Sequence, residues 1–196
     1  MAHPAMMPMP PMIAYTVLST ALQNNPPSVI IGAGVNKTWL VPASPQDDSY
    51  WFVFMDAKNP RQKLKEWVLP GKSNSTVPEG IDACMNNPDY LFFVGTQYLS
   101  TLHVPQGPLY DFLAKYGAGR ELQKLEQVNA VLGCGSYGRM TYVLTGQCGP
   151  RVPGAPGPIS YEMGSYTSVQ AMLLMSLMPQ MDGGPPYTIC DSYTFK

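Results

Sequence analysis

The sequence predicts a mixed α/β domain with short helices, flanked by extended proline-rich arms. Three observations carry this. Two continuous apolar runs, Tyr50–Met55 (YWFVFM) and Tyr90–Gly95 (YLFFVG), have the length and aromatic content of strands buried on both faces. Short helical patterns stand between the strand patterns, and such alternation builds layered α/β arrangements. Proline and charge are unevenly spread. Residues 1–45 hold 8 prolines and a single charge, Lys37, whereas residues 46–149 hold 6 prolines and 19 charges, and residues 150–196 hold 7 prolines and 5 charges. The expected organisation is an N-terminal extended arm at 1–27, a globular domain at 28–149 and a C-terminal arm at 150–196 with one apolar helix.

Ile13–Leu22 is short and mixed apolar, compatible with a strand or a helical turn. Ser28–Ile31 is β-branched and reads as a strand ended by Gly32-Ala33-Gly34, and Lys37–Val41 reads as a second, ended by Pro42. Tyr50–Met55 follows, then a polar turn at Asp56–Arg61. In Lys63–Leu69 the apolar Leu64, Trp67 and Leu69 alternate with charges, which suits a half-exposed strand hairpinned to the preceding one. Thr76 and Glu79 have the spacing of a capping box. Ile81, Cys84 and Met85 then form the buried stripe of a short helix.

After the strand at Tyr90–Gly95, Pro108–Tyr116 places Leu109, Phe112, Leu113 and Tyr116 on one helical face, with Gly117 as its C-terminal cap. Arg120–Val128 is a weaker helical segment. Tyr137–Thr145 reads as a strand ended by Gly146. Ser168–Met178 (SVQAMLLMSLM), stopped by Pro179, reads as a helix apolar on nearly every face. Such a helix has to be buried, against its own domain or against another subunit.

Composition narrows the function. The net charge is −1, from 12 Lys plus Arg and 13 Asp plus Glu, and charged residues are only 13% of the chain. Phosphate neutralisation needs clustered positive charge, so a nucleic-acid partner is not expected; neither is a polybasic membrane contact. Proline at 21 and glycine at 18 of 196 residues disfavour a helical bundle. No secretory signal is visible at the N-terminus. The longest apolar stretch, Ala171–Met178, is too short for a membrane span.

The chemical inventory is thin. Histidines stand alone at His3 and His103, and a lone histidine between Leu102 and Val104 is a structural residue more often than a catalytic one. Cys84, Cys134, Cys148 and Cys190 follow no metal or redox spacing. Buried free thiols or a Cys134–Cys148 bridge between neighbouring strands are the two readings. Gly32-Ala33-Gly34 begins like a dinucleotide fingerprint, but Lys37 occupies the third glycine position. Strand-like residues follow where the phosphate-binding helix should start. No catalytic centre, metal or cofactor is expected.

The ordered series WFVFMDAKNPRQKLKEW, Tyr90–Thr96 (YLFFVGT), Phe112–Gly117 (FLAKYG) and Arg139–Gly146 (RMTYVLTG) resembles the interleukin-like EMT inducer family and its relative, the lectin-like stem domain of glycan-processing enzymes. The resemblance covers residues 50–146. It implies a compact β-sandwich-like domain with short helices and without catalysis. It also implies that the last motif, through Arg139, Thr141 and Tyr142, could contact carbohydrate. Met140 stands where that motif has Asp.

Two functions follow as expectations. One is a structural subunit of a virion (a phage capsid or tail) or an extracellular filament. Its apolar arms would contact other copies of itself or other structural proteins, through Met6, Met7 and Met9 at one end and Tyr187, Ile189, Tyr193 and Phe195 at the other. The Tyr187, Ile189 period suits a strand added to a neighbour's sheet. The alternative is a carbohydrate-binding module.

Overall fold

A computed structural model describes residues 12–132, 138–151, 157–166, 169–180 and 186–191. The strands are β1 (Ile13–Ser19), β2 (Ser28–Ile31), β3 (Thr38–Leu40), β4 (Ser49–Asp56), β5 (Lys63–Pro70), β6 (Tyr90–Gln97), β7 (Leu99–Ser100), β8 (Arg139–Gln147), β9 (Ser160–Tyr166), β10 (Ala171–Met178) and β11 (Thr188–Asp191). The helices are α1 (Ile81–Met85), α2 (Gly107–Lys115) and α3 (Arg120–Leu132). The strands form two antiparallel sheets. One has five strands in the order β11-β10-β1-β2-β3; the other has six, in the order β5-β4-β6-β8-β7, with β9 paired to β8.

The side-chain alternation of a strand explains the layering. Trp51, Val53, Met55, Leu91, Phe93 and Val143 leave one face of the six-stranded sheet and meet Tyr15, Val17, Val29, Ile31, Ala171, Met175, Leu177 and Ile189 of the five-stranded sheet. Tyr50, Phe52, Phe54, Phe92, Val94, Tyr142 and Leu144 leave the other face. There they pack on Ile81, Cys84 and Met85 of α1, Leu109, Phe112 and Leu113 of α2, and Leu122 and Leu125 of α3. The molecule is therefore a β-sandwich with the helices as a third layer, and the continuous apolar run of β4 is buried on both sides, as expected.

The two sheets are also joined by polar groups. The Tyr15 hydroxyl donates to Thr145 Oγ1 at 3.1 Å, and Thr145 in turn donates to the Phe92 carbonyl at 2.8 Å. Ser19 Oγ donates to the Thr96 carbonyl at 2.6 Å, and Thr96 Oγ1 accepts the Tyr142 N–H at 3.0 Å. Every partner here is buried, so each bond replaces solvation that the fold removes.

Several expectations are corrected. Ala171–Met178 is a strand, not a helix. Its residues are apolar in both phases, so periodicity could not separate the two forms; the ladders to β1 on one side and β11 on the other decide it. The domain limits at 28 and 149 cut through the fold. β1 lies between β2 and β10, and β9 extends the six-stranded sheet, so residues 13–27 and 160–191 supply strands of the sandwich itself. The N-terminal capping box is not used. α1 starts at Ile81 behind Gly80, whose φ of 77° is the left-handed conformation glycine tolerates, while its buried stripe is the expected one. Gly146 does not end β8; a Cβ there would lie 2.5 Å from the Ile159 carbonyl oxygen, so glycine lets β9 approach.

Candidate functional site

The carbohydrate candidates on β8 do not converge on a surface. Arg139 lies with its guanidinium carbon 4.3 Å from the Tyr98 ring centroid. Thr141 is fully buried and donates to the Val169 carbonyl at 2.7 Å. Tyr142 points to the opposite face, also buried, and its hydroxyl donates to Glu162 Oε2 at 2.8 Å. Burial, with the nearby Glu162 carboxylate as a lesser cause, pushes the Tyr142 phenol well above its ordinary value. Glu162 also accepts the N–H groups of Glu121 at 2.8 Å and Leu122 at 3.4 Å, so one carboxylate caps α3 and anchors β8.

The C-terminal candidates act within the chain. Ile189 is fully buried in β11, opposite Leu177 of β10. The Tyr187 N–H donates to the Ala57 carbonyl at 2.7 Å. The strand expected to extend a neighbour's sheet extends this one instead. Met6, Met7, Met9, Tyr193 and Phe195 lie outside the described residues.

His103 is held in a structural knot at one end of the six-stranded sheet. Its Nδ1 lies 2.8 Å from Asp48 Oδ2, and the other Asp48 oxygen accepts the Ser100 N–H at 2.9 Å. The Tyr50 hydroxyl donates to the His103 carbonyl. Asp48 itself has φ 54°, a strained conformation fixed by these bonds. Among the described residues no group of three His, Cys, Asp or Glu side chains could hold a metal ion. Cys84 and Cys148 are buried free thiols. Burial, with Cys84 nearby as a lesser cause, raises the Cys148 thiol and keeps it protonated. Its expected bridge partner, Cys134, lies outside the described residues. Among the described residues no helix is long and apolar enough to cross a membrane.

The feature that sequence reasoning missed is the outer face of the five-stranded sheet. Its inner positions fill the sandwich core. Its outer positions stand in register: Leu174 of β10 opposite Thr16 of β1, Thr16 opposite Ile30 of β2, and Ile30 opposite Trp39 of β3. Beside that row, Met172 stands opposite Leu18. Trp39 is 53% exposed, Leu174 49% and Met172 46%, and Met178 adds to the same face. None of the described outward positions on β1, β2, β3 and β10 carries a charge. Lys37, just before β3, reaches over Trp39 with Nζ 5.9 Å from the ring centroid. By contrast, the edge strand β5 carries Lys63, Lys65 and Glu66, the charge that protects an edge from unwanted pairing. Period-2 alternation in IAYTVLS and AMLLMSLM was the signal, hidden in β10 because both phases are apolar.

No protein-family model and no curated protein matches the chain.

Proposed function

We propose that this chain is a non-enzymatic structural subunit that assembles with other copies of itself or with other structural proteins, in a virion or an extracellular filament. The observation that supports this is the uncharged apolar face across β10, β1, β2 and β3. Contiguous exposed apolar surface of this kind marks interaction sites. Burying each large side chain on it contributes about 1.5–3 kcal/mol before ordering costs. Because no described outward strand position carries a charge and Lys37 lies at the margin over Trp39, association through the face depends little on ionic strength.

The purified full chain, viewed by electron microscopy at low and at high salt, should form ordered multimers under both conditions. Isolated monomers at high protein concentration would remove this reading. A carbohydrate-binding module is the second reading, favoured by Trp39, an exposed aromatic ring on the sheet face with which a sugar would stack. A neutral oligosaccharide that shifts tryptophan fluorescence, with the shift lost in Trp39→Ala, would bring it forward.

A further inference from the structure

We infer that the outer face of the five-stranded sheet receives residues 1–11 of a second copy, so that assembly is arm to face and head to tail. The inference rests on the assembly reading above and names the occupant of its surface.

The first argument is where the chain leaves the sheet. β1 is the middle strand and opens at Ile13, and Met12, just before it, is 62% exposed. Residues 1–11 therefore emerge from the same sheet that carries the apolar face. At ~3.3 Å per residue they reach up to about 36 Å. Five strands at ~4.8 Å spacing are only about 20 Å across, so the arm can cover such a face from a neighbouring molecule.

The second argument is chemical match. MAHPAMMPMPP has no Lys, Arg, Asp or Glu, and the outward strand positions of the face carry none either, Lys37 lying at the margin over Trp39. Four prolines forbid a helix and leave the segment few N–H donors to satisfy. Extended proline-rich segments dock on exposed aromatic rings, and Trp39 supplies one. Met1, Met6, Met7 and Met9 are unbranched and adapt to the Met172 and Leu18 surface beside it.

The third argument sets the direction. Pro10-Pro11 stands directly before Met12, and a proline holds both itself and the residue before it extended. That sequence disfavours a tight reversal onto the chain's own face at this point, so the occupant is taken from a second copy. Arm and face are different surfaces, so a single arm on a single face is a heterologous contact that leaves one arm and one face free to propagate, whereas reciprocal exchange of arms or face-to-face packing would close as a symmetric pair.

Full-length variants test this in mixtures. The arm variant carries Met6→Asp, Met7→Asp and Met9→Asp; the face variant carries Met172→Lys, with Trp39→Lys as an independent second. Thermal melting reports that each is folded. Sedimentation should show the wild type growing into long assemblies and each variant alone as a monomer. The arm variant mixed with a face variant should form a dimer and stop there, because that mixture holds one intact arm and one intact face. If the arm variant assembles like the wild type while both face variants do not, the face pairs with itself and this inference fails, with the assembly reading intact. A mixture that stays monomeric also overturns it. A wild type that is itself a monomer overturns both readings.

Discussion

The six-stranded and five-stranded sheets each hold a strand apolar in both phases, and the two strands meet different fates. β4 is apolar in both phases and each phase has a partner layer: Trp51, Val53 and Met55 face the other sheet, while Tyr50, Phe52 and Phe54 face the helices. β10 is apolar in both phases too, yet Ala171, Met175 and Leu177 enter the core with Leu173 packed against it, while Met172, Leu174 and Met178 remain exposed. A strand apolar in both phases is thus suited to cover on both faces, and in β10 the described residues supply cover for only one. Our account assigns the second cover to another copy of the chain.

The largest effect expected from breaking this contrast is inside the sandwich. Trp51→Ala or Phe93→Ala, which remove rings packed edge to face with centroids 5.2 Å apart, should each cost about 3–5 kcal/mol in chemical denaturation. Trp39→Ala, on the exposed face, should change stability by no more than about 0.5 kcal/mol. Equal losses at Trp51 and Trp39 would erase the distinction between the two sheets.

A middle-sized effect is expected where the helix layer is tied on. Glu162→Ala leaves the N–H groups of Glu121 and Leu122 and the Tyr142 hydroxyl without their acceptor, and should lower stability by about 1–3 kcal/mol. Assembly should survive, because Glu162 faces the helices and not the outer face.

Alkaline pH probes the buried phenols. Burial raises Tyr15; burial and then Asp48 raise Tyr50; burial and then Glu162 raise Tyr142. The unfolded chain loses these protons near pH ~10, while the folded chain keeps them. Stability is therefore fully present below about pH 10 and is lost as pH rises towards the raised folded values, by about 1.4 kcal/mol per tyrosine for each pH unit. Ultraviolet titration should show these phenols ionising together with unfolding, while exposed tyrosines titrate earlier. Ionisation of all tyrosines without loss of structure would contradict the described burial. The smallest effect expected is that of salt on association, since no described outward strand position of the face carries a charge.

What was legible in the sequence follows the same division. β4, β6 and α2 could be read because their patterns were long, aromatic or capped, and Gly117 does follow α2 with a φ of 108°. The turn at Gly32-Ala33-Gly34 joins two strands, as the Lys37 mismatch implied. β10 could not be read, because methionine and leucine favour a helix locally and only pairing with β1 and β11 makes the segment a strand. The domain limits failed for a related reason. Proline and charge content locate solvent-exposed linkers well, but β1 and β10 carry no charge themselves and resemble the arms in composition. The exposed face was out of reach because it exists only once β10, far away in the sequence, is paired in register with β1 beside β2 and β3.

The central claim, that the uncharged outer face is where subunits meet, is tested most directly by sedimentation velocity of the full chain beside Met172→Lys across a range of concentrations. The account predicts that the wild type sediments as growing multimers and that Met172→Lys sediments as a folded monomer with an unchanged melting temperature. Multimers of the same size from both proteins would contradict it.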